Sequence, residues 1–535
     1  VDSPDGAGGL AGACNQSDVG DCFAMGAVSG DNAGGLIGLS SDASIINCSS
    51  TGFVDFLTSG GGLIGVDDPV YPSTVTDCFW DMDSSNAGAS QGGIGKTTAE
   101  MIQALTFTNW NFTDIWAIDE GLGYPWLQTL PLIGPAASFY ISVEDGEAPL
   151  EVAFTNNSFP GTYVNSVAWA WDFGDGASST EQYPSNHTYT DTGTYTITLT
   201  MTTPIGTSSD SRQIVVYLGI QTLVDLNAIR DYPGEIYWLL NDIDASGIKF
   251  SEGWAPIPDF TGEFDGNGYT ISNLTVNRPS ETYGGLFGQT GSGAYIHDLN
   301  MQGGSISATR AGAIAGSLYA GNISRCGSKG VNVQGSEACG GIAGEVFGEY
   351  EGIYPTVFRC YATGPVTSSN ASAGGLIGYT MYCNVEQCFA TGPVTASLEA
   401  GGLVGSSYDS CTFNSCFALG NVTCSSMYGG GFIGAVNRYL TFTDCFCTGS
   451  VSGAGSPLGG FISFGVASCN TFDHCFWSQE NSGLTWSWDA TDLVTTAAMT
   501  QQTNYTGWDF SGTGVWDIEE GVSYPWLRWF GPVIP

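Results

Sequence analysis

The sequence predicts an all-β chain in which two arrays of stacked repeats flank a segment built on a different plan. Three observations carry this. A glycine phrase recurs with a fixed period, an aromatic terminal unit occurs twice, and the stretch between the arrays loses the period and alternates apolar with polar residues. The phrase is clearest as Ala373-Gly374-Gly375-Leu376-Ile377-Gly378, Ala400-Gly401-Gly402-Leu403-Val404-Gly405, Gly429-Gly430-Gly431-Phe432-Ile433-Gly434 and Leu458-Gly459-Gly460-Phe461-Ile462-Ser463, with starts 27, 29 and 29 residues apart. Between copies sits a second phrase, as in Gln387-Cys388-Phe389-Ala390-Thr391-Gly392-Pro393-Val394. A period of this length marks units that cannot bury an apolar face alone and must stack on their neighbours.

Residues 1–135 form the short array. Glycine phrases begin at Gly8, Gly34 and Gly61, with cysteine phrases at Asp21-Cys22-Phe23 and Asn47-Cys48-Ser49. From Asp77-Cys78-Phe79-Trp80 a terminal unit follows, with Trp110-Asn111-Phe112, Trp116-Ala117-Ile118-Asp119-Glu120-Gly121 and Tyr124-Pro125-Trp126-Leu127. It returns over 474–535 as His474-Cys475-Phe476-Trp477, Trp508-Asp509-Phe510, Trp516-Asp517-Ile518-Glu519-Glu520-Gly521 and Tyr524-Pro525-Trp526-Leu527. Each is expected to close its array, because a last coil otherwise exposes a sheet edge and an apolar cross-section. Residues 219–282 open the long array, 219–535, and seven glycine phrases follow from Gly284, enough for a rod about 30 Å long at the strand spacing. The large column Leu10, Leu36, Leu63, Leu286, Ile314, Ile342, Leu376, Leu403, Phe432, Phe461 is followed directly by a second apolar column. Strand alternation would send neighbours to opposite faces. Either the glycines bend the chain so that both columns serve the core, or one column forms an outward stripe for lateral assembly.

Over 136–218, runs such as Thr194-Tyr195-Thr196-Ile197-Thr198-Leu199 read as half-buried strands between Gly and Pro turns. The segment carries Trp171-Asp172-Phe173-Gly174-Asp175-Gly176 and His187-Thr188-Tyr189-Thr190-Asp191-Thr192-Gly193-Thr194-Tyr195. It closely resembles a PKD domain, which implies a seven-stranded immunoglobulin-like sandwich, a core role for Trp171 and Phe173, and a spacer or contact role at a cell surface. The glycine phrases resemble the GLUG motif of microbial surface proteins, in the combination with PKD domains seen in methanogenic archaea. This second resemblance implies a parallel β-solenoid outside a cell.

Eleven basic residues against 52 acidic ones give a net charge of −41. That excludes nucleic acid and anionic membranes as natural partners. With 42% apolar and 13% aromatic residues the chain has ample core material, so disorder is excluded too. No apolar run reaches membrane-spanning length, and we expect a mature or trimmed product without its leader. Sixteen cysteines and ten sequons, at Asn15, Asn47, Asn111, Asn156, Asn186, Asn273, Asn322, Asn370, Asn421 and Asn504, fit an extracellular location and candidate glycosylation.

Cys360, Cys388, Cys416, Cys445 and Cys475 share one register, spaced 28, 28, 29 and 30 apart. They form either a column of buried thiols or disulfides. The close pairs Cys383 with Cys388, Cys411 with Cys416 and Cys469 with Cys475 are candidates for stapling a turn, worth about 2–3 kcal/mol each. Zinc is not expected, because no Cys-x-x-Cys pair repeats and only His187, His297 and His474 exist. Asp67-Asp68, Asp81-Asp83 and Asp242-Asp244 are the acid clusters to consider for calcium, though none has a recognised loop spacing; no other cofactor is expected. Gly92-Gly93-Ile94-Gly95-Lys96-Thr97-Thr98 looks like a phosphate loop, but Ser90 stands where the pattern needs glycine. No Ser-His-Asp set assembles, so no catalytic residue is assigned and an enzyme is not expected. The expected function is a structural protein of a cell envelope, of sheath or surface-layer type, whose partners are copies of itself, other envelope proteins or glycans. An adhesin or carbohydrate-binding surface protein is the alternative, and a polysaccharide lyase or hydrolase a more distant one.

Overall fold

The computed structural model describes the chain except residues 1, 4–5, 131, 133, 162–164, 249–250, 351, 466–469, 489–491 and 533–535. The chain is nearly all β and divides into two compact units, Val1–Val216 and Tyr217–Pro535.

In the second unit each full coil has five short strands. One coil contains Ser372–Gly374, Ile377–Met381, Asn384–Glu386, Phe389–Ala390 and Val394–Ala396. Each strand pairs in parallel with its counterpart a coil earlier and a coil later, so five parallel sheets run along the array. The two sheets flanking the glycine corner each hold seven strands, one per glycine phrase. The solenoid begins earlier, where Leu218–Ile220 pairs with Tyr237–Leu239 and Ile236–Trp238 with Glu263–Asp265.

The glycine phrase is a corner crowded from three sides. A Cβ on Gly374 would lie 2.0 Å from the Ile377 carbonyl oxygen of its own coil. On Gly375 it would lie 2.2 Å from the Gly402 carbonyl oxygen of the next coil, and on Gly378, 2.4 Å from the Cys339 amide nitrogen of the preceding one. Only glycine fits at all three. The Leu376 and Ile377 amides both donate to the Leu403 carbonyl, at 2.9 and 3.2 Å. Because the chain turns here instead of continuing as a strand, consecutive side chains both point inward. Leu376 and Ile377 are fully buried, as are their counterparts from Leu36 onward, while Leu10 in the first coil is 47% exposed. Both columns therefore serve the core.

Closure differs from the expected single end cap. At one inward position Ala362, Ala390, Ala418 and Cys447 are stacked in register, and the last coil puts Trp477 there. Its indole lies over Gly460, where a Cβ would come within 1.9 Å of Cε3. The short array repeats the device with Ala24, Ser50 and Trp80 over Gly62. The rest of each terminal unit folds back along the flank. Phe389, Phe417 and Phe446 form an outward stack with centroids 4.8 and 5.1 Å apart, and Tyr505, Trp508, Trp516 and Leu527 cover it. In the short array Phe107, Trp110, Trp116 and Tyr124 cover Phe79, and Phe23 packs against them.

The sandwich in the first unit has the expected Trp171 and Phe173 in its core, packed with Phe139, Tyr189, Ile197, Leu199 and Ile214. Trp171 Nε1 donates to the Glu181 carbonyl at 3.0 Å, and the Tyr189 hydroxyl to the Phe173 carbonyl at 2.9 Å. Gly174 and Gly176 adopt φ of +84° and +92°, left-handed backbone that glycine supplies in a tight turn.

Gly375→Ala should lower the stability of the long array by about 1–3 kcal/mol, the usual cost of overpacking, as read by thermal unfolding in circular dichroism. Gly512→Ala, with no atom within 4 Å of the added Cβ, should leave the transition unchanged.

Candidate functional site

The corner leaves one concave surface. The strand before it and the strand after it present their outward side chains toward each other across neighbouring coils, as Ser372 Oγ and Ser406 Oγ do at 3.1 Å. Over the first four glycine coils this opens into a groove of about 800 Å³. One wall is Tyr283, Arg310 and Ala338; the other carries Ser317, Glu345 and Tyr379 in one register and Tyr319 and Phe347 in the next. Tyr319 and Phe347 stack with centroids 6.1 Å apart, and the Arg310 guanidinium lies 5.8 Å from the Tyr283 ring centre.

Among the described residues Arg310 is the only cation lining the groove, and it holds two carboxylates, Glu337 at 2.6 Å and Glu345 at 3.2 Å. Burial raises the Glu345 carboxyl above its ordinary range, against the lowering effect of Arg310 and the Ser317 hydroxyl. A longer coil frames the site, since the glycine phrases at Gly340 and Gly374 are 34 residues apart, not 27 to 29. The extra residues bring Glu349, which accepts from the Tyr319 hydroxyl at 3.0 Å, and the exposed Tyr350, which meets Tyr382 edge-on. None of these residues was singled out by sequence reasoning; the 34-residue interval was the available signal.

No disulfide joins the described cysteines. The pairings expected within a coil are not made, because Cys383 and Cys388 flank the strand Asn384–Glu386, and Cys411 and Cys416 flank Thr412–Asn414. The three-residue strand between the two cysteines of each pair alone spans about 10 Å, beyond the roughly 7 Å that a disulfide bridges. Thiol neighbours lie between coils instead. Cys383 is 3.6 Å from Cys411, and Cys388 meets Cys360 and Cys416. Each thiol of that column donates to the carbonyl two residues back, as Cys388 does to Glu386 at 3.2 Å and Cys475 to Asp473 at 3.5 Å. Cys469 lies outside the described residues. The column thus behaves as buried, hydrogen-bonded apolar side chains.

The acid clusters are occupied by backbone and hydroxyl donors. Asp67 accepts from Ser40 Oγ at 2.6 Å, Asp68 from Val70 N at 2.8 Å and Asp242 from Thr270 N at 2.8 Å. Asp81 and Asp244 cap short helical turns, and Asp83 accepts from Thr98 N. The phosphate-loop lookalike is the closing strand Ile94–Lys96 with Lys96 paired to Glu100 at 3.1 Å. Among the sequons, Asn47 and Asn156 are half-buried and their amides donate within the fold, whereas the other eight are exposed.

Among the described residues one His and carboxylate group has metal-like spacing: Asp265, His297 and Asp298. Its counter-cation is already present, as Arg325 reaches Asp298 at 2.7 and 2.5 Å. Burial disfavours charge on His297, but Glu263 at 3.1 Å, Asp298 at 2.8 Å and Asp265 at 3.5 Å outweigh it and hold its pKa above the ordinary 6.5. His187 and His474 sit apart, His187 with Asp175 at 2.7 Å and His474 with Asp444 at 3.3 Å.

The PKD domain family model matches residues 135–217, and the GLUG motif matches 29–55 and 369–395. Halomucin of Haloquadratum walsbyi is 32% identical over 195 residues, covering 30% of this chain and 2% of halomucin. A Gly-rich membrane protein of Evansella cellulosilytica is 36% identical over 111 residues, 19% of this chain and 13% of that one. The chain thus spans a small part of the length of these relatives. A crystal structure described as an immunoglobulin A1 protease of Bacteroides ovatus is 20% identical, covering 58% of this chain and 92% of that one at a TM-score of 0.40. The chain carries GLUG motifs and a PKD domain and is a surface or extracellular repeat protein. No helix among the described residues is long and apolar enough to cross a membrane.

Because the folded pKa of His297 lies above its unfolded value, its stabilisation is complete below 6.5 and is lost as pH rises through the folded value. Urea midpoints of the wild type should therefore fall across that window relative to those of His297→Gln, and parallel pH profiles would refute this coupling.

Proposed function

We propose that the protein is a glycan-binding protein of a cell surface, with the groove of the long array as its binding site. The observation that carries this is that aromatic rings and charged and amide groups line one groove together. Sugar rings present C–H faces that pack on aromatic rings and hydroxyls that bond to carboxylate, guanidinium and amide groups. The coil spacing of about 4.8 Å is close to the length of one pyranose residue, so Tyr319 and Phe347 offer a repeat that an extended sugar chain can follow. The size and mixed lining of the groove suit a small-ligand site. We read the groove as binding and not catalytic, because one guanidinium engages both Glu337 and Glu345 and leaves neither carboxylate as an unencumbered acid or base. The sandwich serves in this reading as a spacer.

Self-association into a sheath or surface layer is the second reading. It is favoured by the exposure of Phe53, Phe56 and Leu57 on the short array, at 50, 40 and 87%. Electron microscopy with and without reductant tests it, ordered tubes or sheets supporting it and uniform single particles in both conditions removing it.

For the groove, Tyr379→Ala and Tyr319→Ala should each weaken binding to a glycan found by array screening about tenfold, the loss of roughly 1.4 kcal/mol. An array with no positive glycan, or affinity unchanged in both variants, would remove this reading.

A further inference from the structure

We infer that the groove selects glycans bearing free amino groups over neutral or uronate-containing ones, a refinement that rests on the proposed glycan-binding function. Among its described residues the groove presents Glu337 and Glu345, with Glu349 at its lip, against the single cation Arg310. Arg310 already engages two carboxylates, through Nη2 and Nε, so its single positive charge is offset before any ligand arrives. The charge left over is negative and lies where solvent is partly excluded, since the Glu345 side chain is only 18% exposed. Electrostatic attraction is strengthened in such a setting.

The aromatic lining acts in the same sense. Tyr283, Tyr319, Phe347 and Tyr379 line the same cavity, Tyr319 stacked on Phe347 and Tyr379 on Tyr408. An ammonium that reaches such a ring gains a cation–π attraction that a hydroxyl does not. Tyr283 already holds one cation in this way, the Arg310 guanidinium. A carboxylate on a sugar would meet the reverse conditions, with Glu337 and Glu345 before it and a chain of net charge −41 around it. The raised carboxyl of Glu345 fits this assignment, because an arriving ammonium supplies charge compensation that Arg310 provides only in part.

Titration calorimetry of the full chain with chitosan hexamer, chitin hexamer and hexagalacturonate separates the outcomes. The chitosan hexamer should bind at least tenfold more tightly than its acetylated counterpart, and hexagalacturonate should not bind. Glu345→Gln should remove most of that preference, and Glu349→Gln at the exposed lip should reduce it without disturbing the interior. Tyr379→Ala should weaken both uncharged and amine-bearing ligands together. Equal affinity for the two hexamers, or preference for the uronate, would overturn the inference while leaving glycan binding intact. Chitosan binding unaffected by Glu345→Gln, Glu349→Gln and Tyr379→Ala would also overturn it, as attraction of a polycation to the acidic chain at large. No binding of any of the three, joined to a blank glycan array, would instead bring down the functional reading beneath it.

Discussion

The rest of the structure depends on the close approach of three backbone segments at each glycine corner. The corner packs against its own coil, the one before and the one after, so each side of the contact excludes a Cβ independently. Such a constraint cannot be relaxed at one coil without misplacing its neighbours, which is the nearest-neighbour coupling that stacked repeats rely on. It also explains why an aliphatic pair follows the glycines. The bend cancels strand alternation for two residues, and both side chains enter a core that is continuous along the array. The corner thus sets register, core composition and the concave surface outside it.

A solenoid so defined has an end problem and a flank problem, and this chain solves them separately. At the end, a small inward residue gives way to tryptophan, Trp80 in one array and Trp477 in the other, filling the section that no further coil would fill. Along the flank, the outward phenylalanine column would be an exposed apolar ladder, and the returning terminal segment buries it. The two terminal units match down to single bonds, with Trp110 Nε1 donating to the Asp77 carbonyl and Trp508 Nε1 to that of His474. They part company at Trp116, whose indole reaches Asp21 at 3.1 Å. The corresponding position before Cys416 is Ser415, too short to make the same bond.

Repetition made much of this legible from sequence. The arrays, the sandwich and its core tryptophan, and the location of the terminal units all follow from phrases that recur or match a known domain. Two features did not follow, for a common reason. Spacing along the chain says little about spacing across coils, so Cys383 and Cys388 looked close while Cys411 was the actual neighbour. Likewise Arg310, Glu345 and Tyr379 lie 35 and 34 residues apart in sequence yet line one groove. Reading a solenoid for function means reading columns, and the columns become visible only when the register is known. The 34-residue coil was the irregularity in the repeat that pointed to the right place.

That irregularity also explains why the groove opens where it does. Along the wall before the corner, the outward position is Arg310, then Ala338, then Ser372 bonded to Glu399 at 2.6 Å and facing Ser406. Beyond Ser372 the hydroxyls close the cleft; before it, the alanine leaves room beside Arg310. The longer coil then raises a lip on the opposite side through Glu349 and Tyr350. Asn370, an exposed sequon residue, lines the same cavity. A glycan attached there would stand at the mouth of the site and compete with any ligand entering it. Occupancy of this sequon and binding in the groove would therefore exclude one another, since the constraint that builds the groove also sets Asn370 at its edge.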